Sequence, residues 1–571
     1  MDDLDQARRR AELYAIHREY HRKNFLSDGR WIGQFPRDRV DHSREYLWQA
    51  IVFLAGDETD IALGNAMIAQ VPNVNNHFNP IAAADILLRY APVLTPESIH
   101  ILKKMINDSL SEAVDFALAT SGLNNFTAMR AFLFLAASQV LKTYDVPYRH
   151  KSIPEIYNKF RLRKFGLNVL QLLENQLART TLSQEFNSPN YSPLALWAMA
   201  EIVNLMDYEP ARKSAQRIEQ RLWEELLAFH HPRLFHTSGP YSRGYMVDSV
   251  GHATNWKILC CLLGLDGPTS VRELLYPPQE GQVIHAVGDL AFQQACAGWL
   301  IRADYHISDK IRSDFVNRKF PYNYQADYEW PGIGFLRPDG KVIMNVEGNV
   351  NPEGQGMARC YQTERFSIGS MSRTFAFQNH PCQIVYRVKE NNNSLGSTRS
   401  IAAVMLNSRQ PEFVQNPIGQ RVVPNLLPNG GEFRTEQAGS KVVGSVQPHF
   451  WSIHFSEQGL DEISFNFFIT EHLPLHVTVE KISLNGQVFK DSCIEGITEN
   501  GIFIIEDGSV SVTCSIQTPV PVPFRVFRHG GFVRCMVVFY EGSLRKFTRE
   551  DLSSFQAGFT VEVKDRNIHS H

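Results

Sequence analysis

The feature that most constrains this chain is a single change of hydrophobic period. Up to about residue 300 apolar residues recur with helical spacing, and beyond about residue 310 they fall into short β-rich runs. The helical candidates are Glu45 to Leu54, Ile81 to Tyr90, Pro96 to Leu118, Phe126 to Leu141, Ile153 to Ala178, Ser192 to Met206, Glu209 to Phe229, Gly251 to Leu263 and Ala286 to Ile301. Pro96 and Pro193 mark starts, because proline fits the first helical turn. The strand candidates are Arg373 to Phe377, Gln383 to Val388, His449 to Phe455, Glu462 to Ile469, His476 to Glu480 and Gly531 to Tyr540. Turn signals at Asn429-Gly430-Gly431, Asn485-Gly486 and Asp507-Gly508 separate them.

The helical candidates alternate in kind. Glu209 to Phe229 carries charge along one face, whereas Thr127 to Ala137 is apolar nearly all round. A helix apolar on all sides must be buried on all sides, so two concentric layers of helical hairpins are expected. The predicted fold class is therefore multidomain: an N-terminal α/α toroid (an incomplete barrel) over residues 1–305, then an antiparallel β-sandwich over residues 306–571. A length of 571 residues is too great for one core and suits this division. Without a low-complexity linker between the halves, a tight interface is expected.

Several classes are disfavoured. A net charge of -3 gives no whole-chain footprint for nucleic acid. The longest apolar runs, such as Ala131 to Ala137, are far shorter than the ~20 residues of a membrane span. The N-terminus is charged and lacks a signal-like apolar stretch. The eight cysteines include no Cys-x-x-Cys pair and no zinc-like spacing, and read as small buried hydrophobes in a reducing compartment. A cytoplasmic protein with no metal and no cofactor is expected. The oligomeric state is not legible.

A weak repeat locates the candidate site. Asn73 to Phe78, Leu123 to Phe126, Phe186 to Tyr191 and Tyr245 to His252 open successive buried helices, about every 50 to 65 residues. Each is rich in Asn, His or Tyr. In a toroid these starts converge at one end of the central cavity. The Gly- and Asn-rich stretch from Asn345 to Gly356 lacks the Lys-Ser/Thr ending of a phosphate loop and reads as a loop at the domain junction. Trp197, Trp223, Trp256, Trp299 and Trp330 suit either core packing or sugar stacking.

A helical toroid followed by an antiparallel sandwich resembles the heparinase II/III-like and alginate-lyase-like polysaccharide lyases. Tyr361 to Ser370 resembles the strand that opens the sandwich in those proteins. The resemblance is architectural and implies a lyase that cleaves a uronate-containing poly- or oligosaccharide by β-elimination. Such an enzyme needs a base, an acid for the leaving oxygen and a group that neutralises the uronate carboxylate. In the resembled lyases Tyr and His transfer protons while Asn, Arg or His hold the carboxylate. The segment Gly239 to His252 supplies Tyr241, Arg243, Tyr245 and His252 as the catalytic candidates. An arginine beside a tyrosine favours phenolate, and Arg243 is alternatively a bidentate carboxylate clamp. Asn125, Asn190, Tyr191, Asn76 and His77 are the substrate-binding candidates. The resembled lyases often place His after such an Asn, whereas Phe126 follows Asn125 here. Helix capping and loop anchoring account for the same residue types without any ligand. Two alternatives stay open. A glycoside hydrolase would use paired carboxyls, for which Glu185 and Asp248 are the candidates, and a non-catalytic glycan-binding protein would need the aromatics but not the tyrosines. A toroid used for another small substrate also stays open; the expected partner is an acidic oligosaccharide or polysaccharide, with no nucleic acid and no membrane.

Overall fold

The computed structural model describes residues 3–32, 44–72, 78–117, 124–141, 146–147, 156–157, 159–244, 254–265, 284–285, 297–329, 333–336, 342–345, 355–373, 379–389, 398–407, 414–415, 421–423, 431–448, 459–471, 477–490, 492–529 and 532–566. The first part is helical: α1 (Asp3–Arg22), α2 (Arg44–Leu54), α3 (Glu58–Ala69), α4 (Asn79–Tyr90), α5 (Pro96–Ala117), α6 (Asn124–Val140), α7 (Lys159–Arg179), α8 (Ser192–Leu205), α9 (Glu209–Phe229), α10 (Thr254–Leu263), α11 (297–302) and α12 (Asp309–Val316). Packing contacts run from α2 through α4, α6 and α8 to α10, and α1 touches both α10 and α2. The helices α3, α5, α7 and α9 lie against this inner series. The described part of α4, α6 and α8 is almost wholly buried, as all-round apolarity requires. Trp299 packs between Trp48 and Trp197, with ring centroids 5.4 and 3.8 Å away. Beside them Arg89 pairs with Asp85 at 3.1 Å and with Glu201, tying α4 to α8.

The second part is built on one large antiparallel sheet, beside two small ones: β1 (Tyr322–Glu329), β2 (Gln355–Gln362), β3 (Phe366–Met371), β4 (Cys382–Arg387), β5 (Thr398–Asn407), β6 (Gly431–Ala438), β7 (Lys441–Pro448), β8 (Leu460–Thr470), β9 (Lys481–Leu484), β10 (Gln487–Phe489), β11 (Ile494–Asp507), β12 (Val510–His529), β13 (Phe532–Arg545) and β14 (Ala557–Asp565) form the large sheet. The strand order is β6-β7-β14-β12-β13-β8-β5-β4-β3-β2-β1, with β9, β10 and β11 branching from β12. The sheet curls back on itself. Thr435 N–H in β6 donates to Ser372 O at 3.0 Å, and Gln437 Nε2 donates to Ile368 O at 3.1 Å. Ile368, Ile384, Phe465, Phe467, Phe503 and Phe559 fill the core between its two faces.

A separate small core joins the halves: Leu182, Phe186 and Phe229 from the helical side meet Ala326, Tyr328, Ala358, Cys360 and Met371 from the sheet. Hydrogen bonds frame it. Arg318 Nη1 donates to His230 O at 2.7 Å, His231 Nε2 lies 2.7 Å from Thr363 O, and Leu182 N–H donates to Asp327 O at 3.0 Å. The backbones are tightly apposed at Gly369, where an added Cβ would overlap the Gly239 carbonyl.

Most sequence expectations for elements hold, with definite differences. The helix expected from Ile153 starts at Lys159, because Ile156–Tyr157 pair with Val146–Pro147 instead. No strand forms over the described residues 477–480; buried Arg399 takes the carbonyls of Val477 and Thr478, at 2.8 and 3.2 Å. The region beyond 310 is not free of helix: α12 occurs there and buries Phe315 in the helical core, and the short helix Arg549–Ser553 buries Leu552 in the core of the sheet. The helices α1 and α3 are additional. The strand expected at 449–455, most of that at 373–377 and the early part of the helix expected from Ala286 fall outside the described residues. No helix among the described residues is long and apolar enough to cross a membrane.

The backbone contact yields a test. Gly369→Ala forces the two halves apart, and overpacking of this kind costs roughly 1–3 kcal/mol. Denaturant unfolding of the full chain is expected to show a lower midpoint for Gly369→Ala, whereas Gly496→Ala, where an added methyl meets nothing within 4 Å, serves as the control with little change.

Candidate functional site

The site is built on the turn that runs from Ser183 to Ser192 into α8. Burying a carboxylate requires partners, and two carboxylates hold this turn, one from α9 and one from within it. Glu225 on α9 accepts from Ser183 N–H (2.6 Å), Ser183 Oγ (3.0 Å) and Asn187 N–H (3.2 Å). Glu185, only 2% exposed, accepts from Asn125 N–H at 3.1 Å and from Arg243 Nη1 at 3.0 Å. Burial raises both acids to about 7; Arg243 and the Asn125 N–H oppose the rise at Glu185, and the Ser183 and Asn187 donors oppose it at Glu225. Ser192 Oγ, in the first turn of α8, donates to Glu185 O at 3.0 Å and accepts from Ser188 N–H at 3.1 Å.

Asn187 joins this turn to the next loop. Its φ of 45° is left-handed, a conformation Asn tolerates better than most residues. Its Nδ2 donates to Ser238 O (2.7 Å) and Pro240 O (2.8 Å), and its Oδ1 accepts from Thr237 Oγ1 (2.8 Å). Ser242 Oγ donates to Phe186 O at 2.6 Å. The sheet grips the same loop. Tyr241 and His380 exchange backbone hydrogen bonds at 3.0 and 2.9 Å, and Asn379 Nδ2 donates to Ser242 O. Burial pushes the His380 imidazole down to about 3, against a hydrogen bond with the Gly244 backbone.

These anchors place Arg243 over Tyr191, its guanidinium carbon 3.8 Å from the ring centroid. Asn125, Glu185, Asn190, Tyr191 and Arg243 are therefore brought together from three parts of the sequence. Asn255 at the start of α10 completes the group by donating from Nδ2 to Asn190 O at 3.0 Å. Buried Asn125 Oδ1 and Nδ2, Asn255 Oδ1 and Ser188 Oγ have no hydrogen-bond partner among the described residues. Unsatisfied buried groups clustered in one place are costly, and here they sit on residues bonded to Glu185, Asn190 and Tyr191.

Tyr241 does not share this position. Its ring is fully buried and its hydroxyl donates to Thr237 O at 2.8 Å. Tyr245, Asp248, His252, Asn76 and His77 lie outside the described residues. Glu225, Asn187, Asn255 and His380 were not singled out from the sequence. Glu225 had a signal: it interrupts the apolar stripe Ile218, Leu222, Phe229 on α9, and a carboxylate in such a stripe has to be paired. Among the described residues no group of three His, Cys, Asp or Glu side chains is arranged to hold a metal ion.

A family model described as a domain of unknown function, DUF8769, matches residues 163–273, a span that contains Glu185, Tyr191 and Arg243. No curated protein matches the chain. Similar solved structures include the chondroitin AC lyase of Streptomyces coelicolor A3 in complex with chondroitin sulphate, 9% identical over 98% of this chain and 96% of that one, with a TM-score of 0.30. They also include the heparan sulfate lyase HepC of Pedobacter heparinus, 11% identical over 98% and 88%, with a TM-score of 0.26. Likeness at this level carries no argument about fold or chemistry.

The raised carboxyls predict a pH dependence. A carboxyl whose folded pKa lies above its unfolded value binds protons more tightly when folded, so its contribution is full below about 4.5 and is lost as pH rises through about 7. The melting temperature is expected to fall between pH 5 and pH 8, and less steeply in Glu185→Gln. A second expectation concerns Asn187→Ala, which removes three side-chain hydrogen bonds worth roughly 0.5–1.5 kcal/mol each. Denaturant melts of that variant are expected to show a clear loss, with Asn187→Asp losing the two Nδ2 bonds alone.

Proposed function

We propose that this chain is a carbohydrate-active lyase that cleaves a uronate-containing poly- or oligosaccharide by β-elimination, with its site where an α/α toroid meets a β-sandwich. The observation that carries the reading is Arg243 lying 3.8 Å over the face of Tyr191 and sharing Glu185 with Asn125, whose side-chain amide has no hydrogen-bond partner among the described residues. In the elimination a base takes the proton next to the uronate carboxylate, and the oxygen on the adjacent carbon leaves with a proton. A phenol under a guanidinium is placed to carry negative charge as it exchanges that proton. Tyr191 is therefore assigned proton transfer and Asn125 the substrate carboxylate, as donor through Nδ2. Tyr241 is assigned to the scaffold, because its hydroxyl already serves the Thr237 carbonyl. Tyr245 and His252 remain candidates on the segment that follows Arg243, and Asn76 and His77 on the segment before α4.

One observation favours a second reading, a glycoside hydrolase: Glu185, at about 7, has the protonation behaviour of a general acid. Against it, both Glu185 oxygens are occupied within the protein.

Incubation with chondroitin, heparan and alginate oligosaccharides separates the two. The lyase forms products with the absorbance of a conjugated unsaturated uronate, whereas the hydrolase forms new reducing ends without it. Tyr191→Phe keeps the ring and removes the hydroxyl, so turnover is expected to fall about 10²- to 10⁴-fold with little change in melting temperature. Normal turnover in Tyr191→Phe would remove Tyr191 from the mechanism, and reducing ends without unsaturation would replace the lyase by the hydrolase.

A further inference from the structure

We infer that an acidic substrate enters this site by ion-pair exchange: its carboxylate takes Arg243 from Glu185, and Glu185 takes up one proton from solution. The inference rests on the lyase reading and adds to it a proton-linked binding step.

The geometry of Glu185 compels the exchange. Among the described residues its partners are two, Arg243 Nη1 on one oxygen and Asn125 N–H on the other. The carboxyl is 2% exposed, so water does not replace a lost guanidinium. An ionised carboxylate left buried with a single amide donor is far less stable than its neutral form. Arg243, with 13% of its side chain accessible, is the outer member of the pair, and a carboxylate arriving over Tyr191 meets the guanidinium first. The guanidinium cannot give up its own proton. Charge balance then leaves protonation of Glu185 as the compensating step: one anion enters, one carboxylate is neutralised, and Arg243 exchanges the Glu185 carboxylate for that of the substrate. Among the described residues no surrounding group offers Glu185 a substitute. Asn125 on α6 is neutral, Tyr191 lies under Arg243, His380 from the sheet approaches Gly244 and is held neutral by burial, and Glu225 is bound to Ser183 and Asn187. The free-state value of about 7 means that little additional free energy is needed to protonate Glu185 near neutral pH.

The test is calorimetric binding of a glucuronate-containing tetrasaccharide to the full chain, with cellotetraose as the neutral control. Near pH 8.5, titrations in two buffers of different ionisation enthalpy are expected to show close to one proton taken up per ligand, and close to none below pH 6. Affinity is expected to fall about tenfold per pH unit above about 7 and to level off below it. Glu185→Gln, which is neutral at every pH, is expected to bind with that slope abolished. An acidic tetrasaccharide that binds equally well at pH 6 and pH 8.5 without proton uptake overturns the exchange and leaves the lyase reading standing. A slope that survives in Glu185→Gln does the same. Failure of the acidic tetrasaccharide to bind at any pH, with or without binding of cellotetraose, overturns the acidic-substrate reading and the exchange together.

Discussion

A carboxylate taken out of water has to be met by donors, and the turn between Ser183 and Ser192 exists in its shape because two carboxylates are met there. Glu225 reaches up from α9 and collects backbone N–H groups that no helix or strand satisfies. Glu185 points the other way and collects Arg243 and the second residue of α6. One turn is thereby fixed to two helices and to the loop that follows α9. The start of α8 inherits its position from this arrangement, since Ser192 bonds the Glu185 carbonyl. Tyr191 and Asn190, the residues just before that helix, have their places set by the same carboxylates.

The sheet is part of the site rather than a neighbour of it. The loop carrying Arg243 is held on one side by the Asn187 amide and on the other by the strand-like exchange between Tyr241 and His380. The contact between Gly239 and Gly369 leaves no room for a side chain between the backbones. The guanidinium of Arg243 therefore depends on both halves for its place over Tyr191. Preorganisation of this kind is what electrostatic catalysis needs, because charged groups that are already held do not have to reorganise during reaction.

The candidate site was partly legible. Asn125, Asn190, Tyr191, Arg243 and Glu185 were all visible as polar residues at the starts of buried helices, and the structure brings these five together. Their pairing was not visible. Arg243 was matched to the tyrosines nearest it in sequence, and it stands over one 52 residues earlier. Sequence distance misled because loops that open successive inner helices are adjacent in space. The helix α1 was missed for a related reason. It is charged rather than clearly amphipathic, and its arginines do tertiary work: Arg10 donates to Ile301 O and Ala303 O, and Arg9 to Cys261 O. Conversely, the β-rich run before Lys481 lost its strand to Arg399, which needed those carbonyls for a buried charge.

What the sequence determined by itself is the division of the chain into a helical part and a strand part, because the period of apolar residues is a local property that follows from 3.6 or 2 residues per repeat. It also determined which residue types stand at the helix starts. Which of those residues meet, which carboxylates are buried and which phenol lies under the guanidinium were decided only by tertiary structure. Burial, desolvation and ion pairing depend on segments far apart in the chain, and no local pattern encodes the distance between Arg243 and Tyr191.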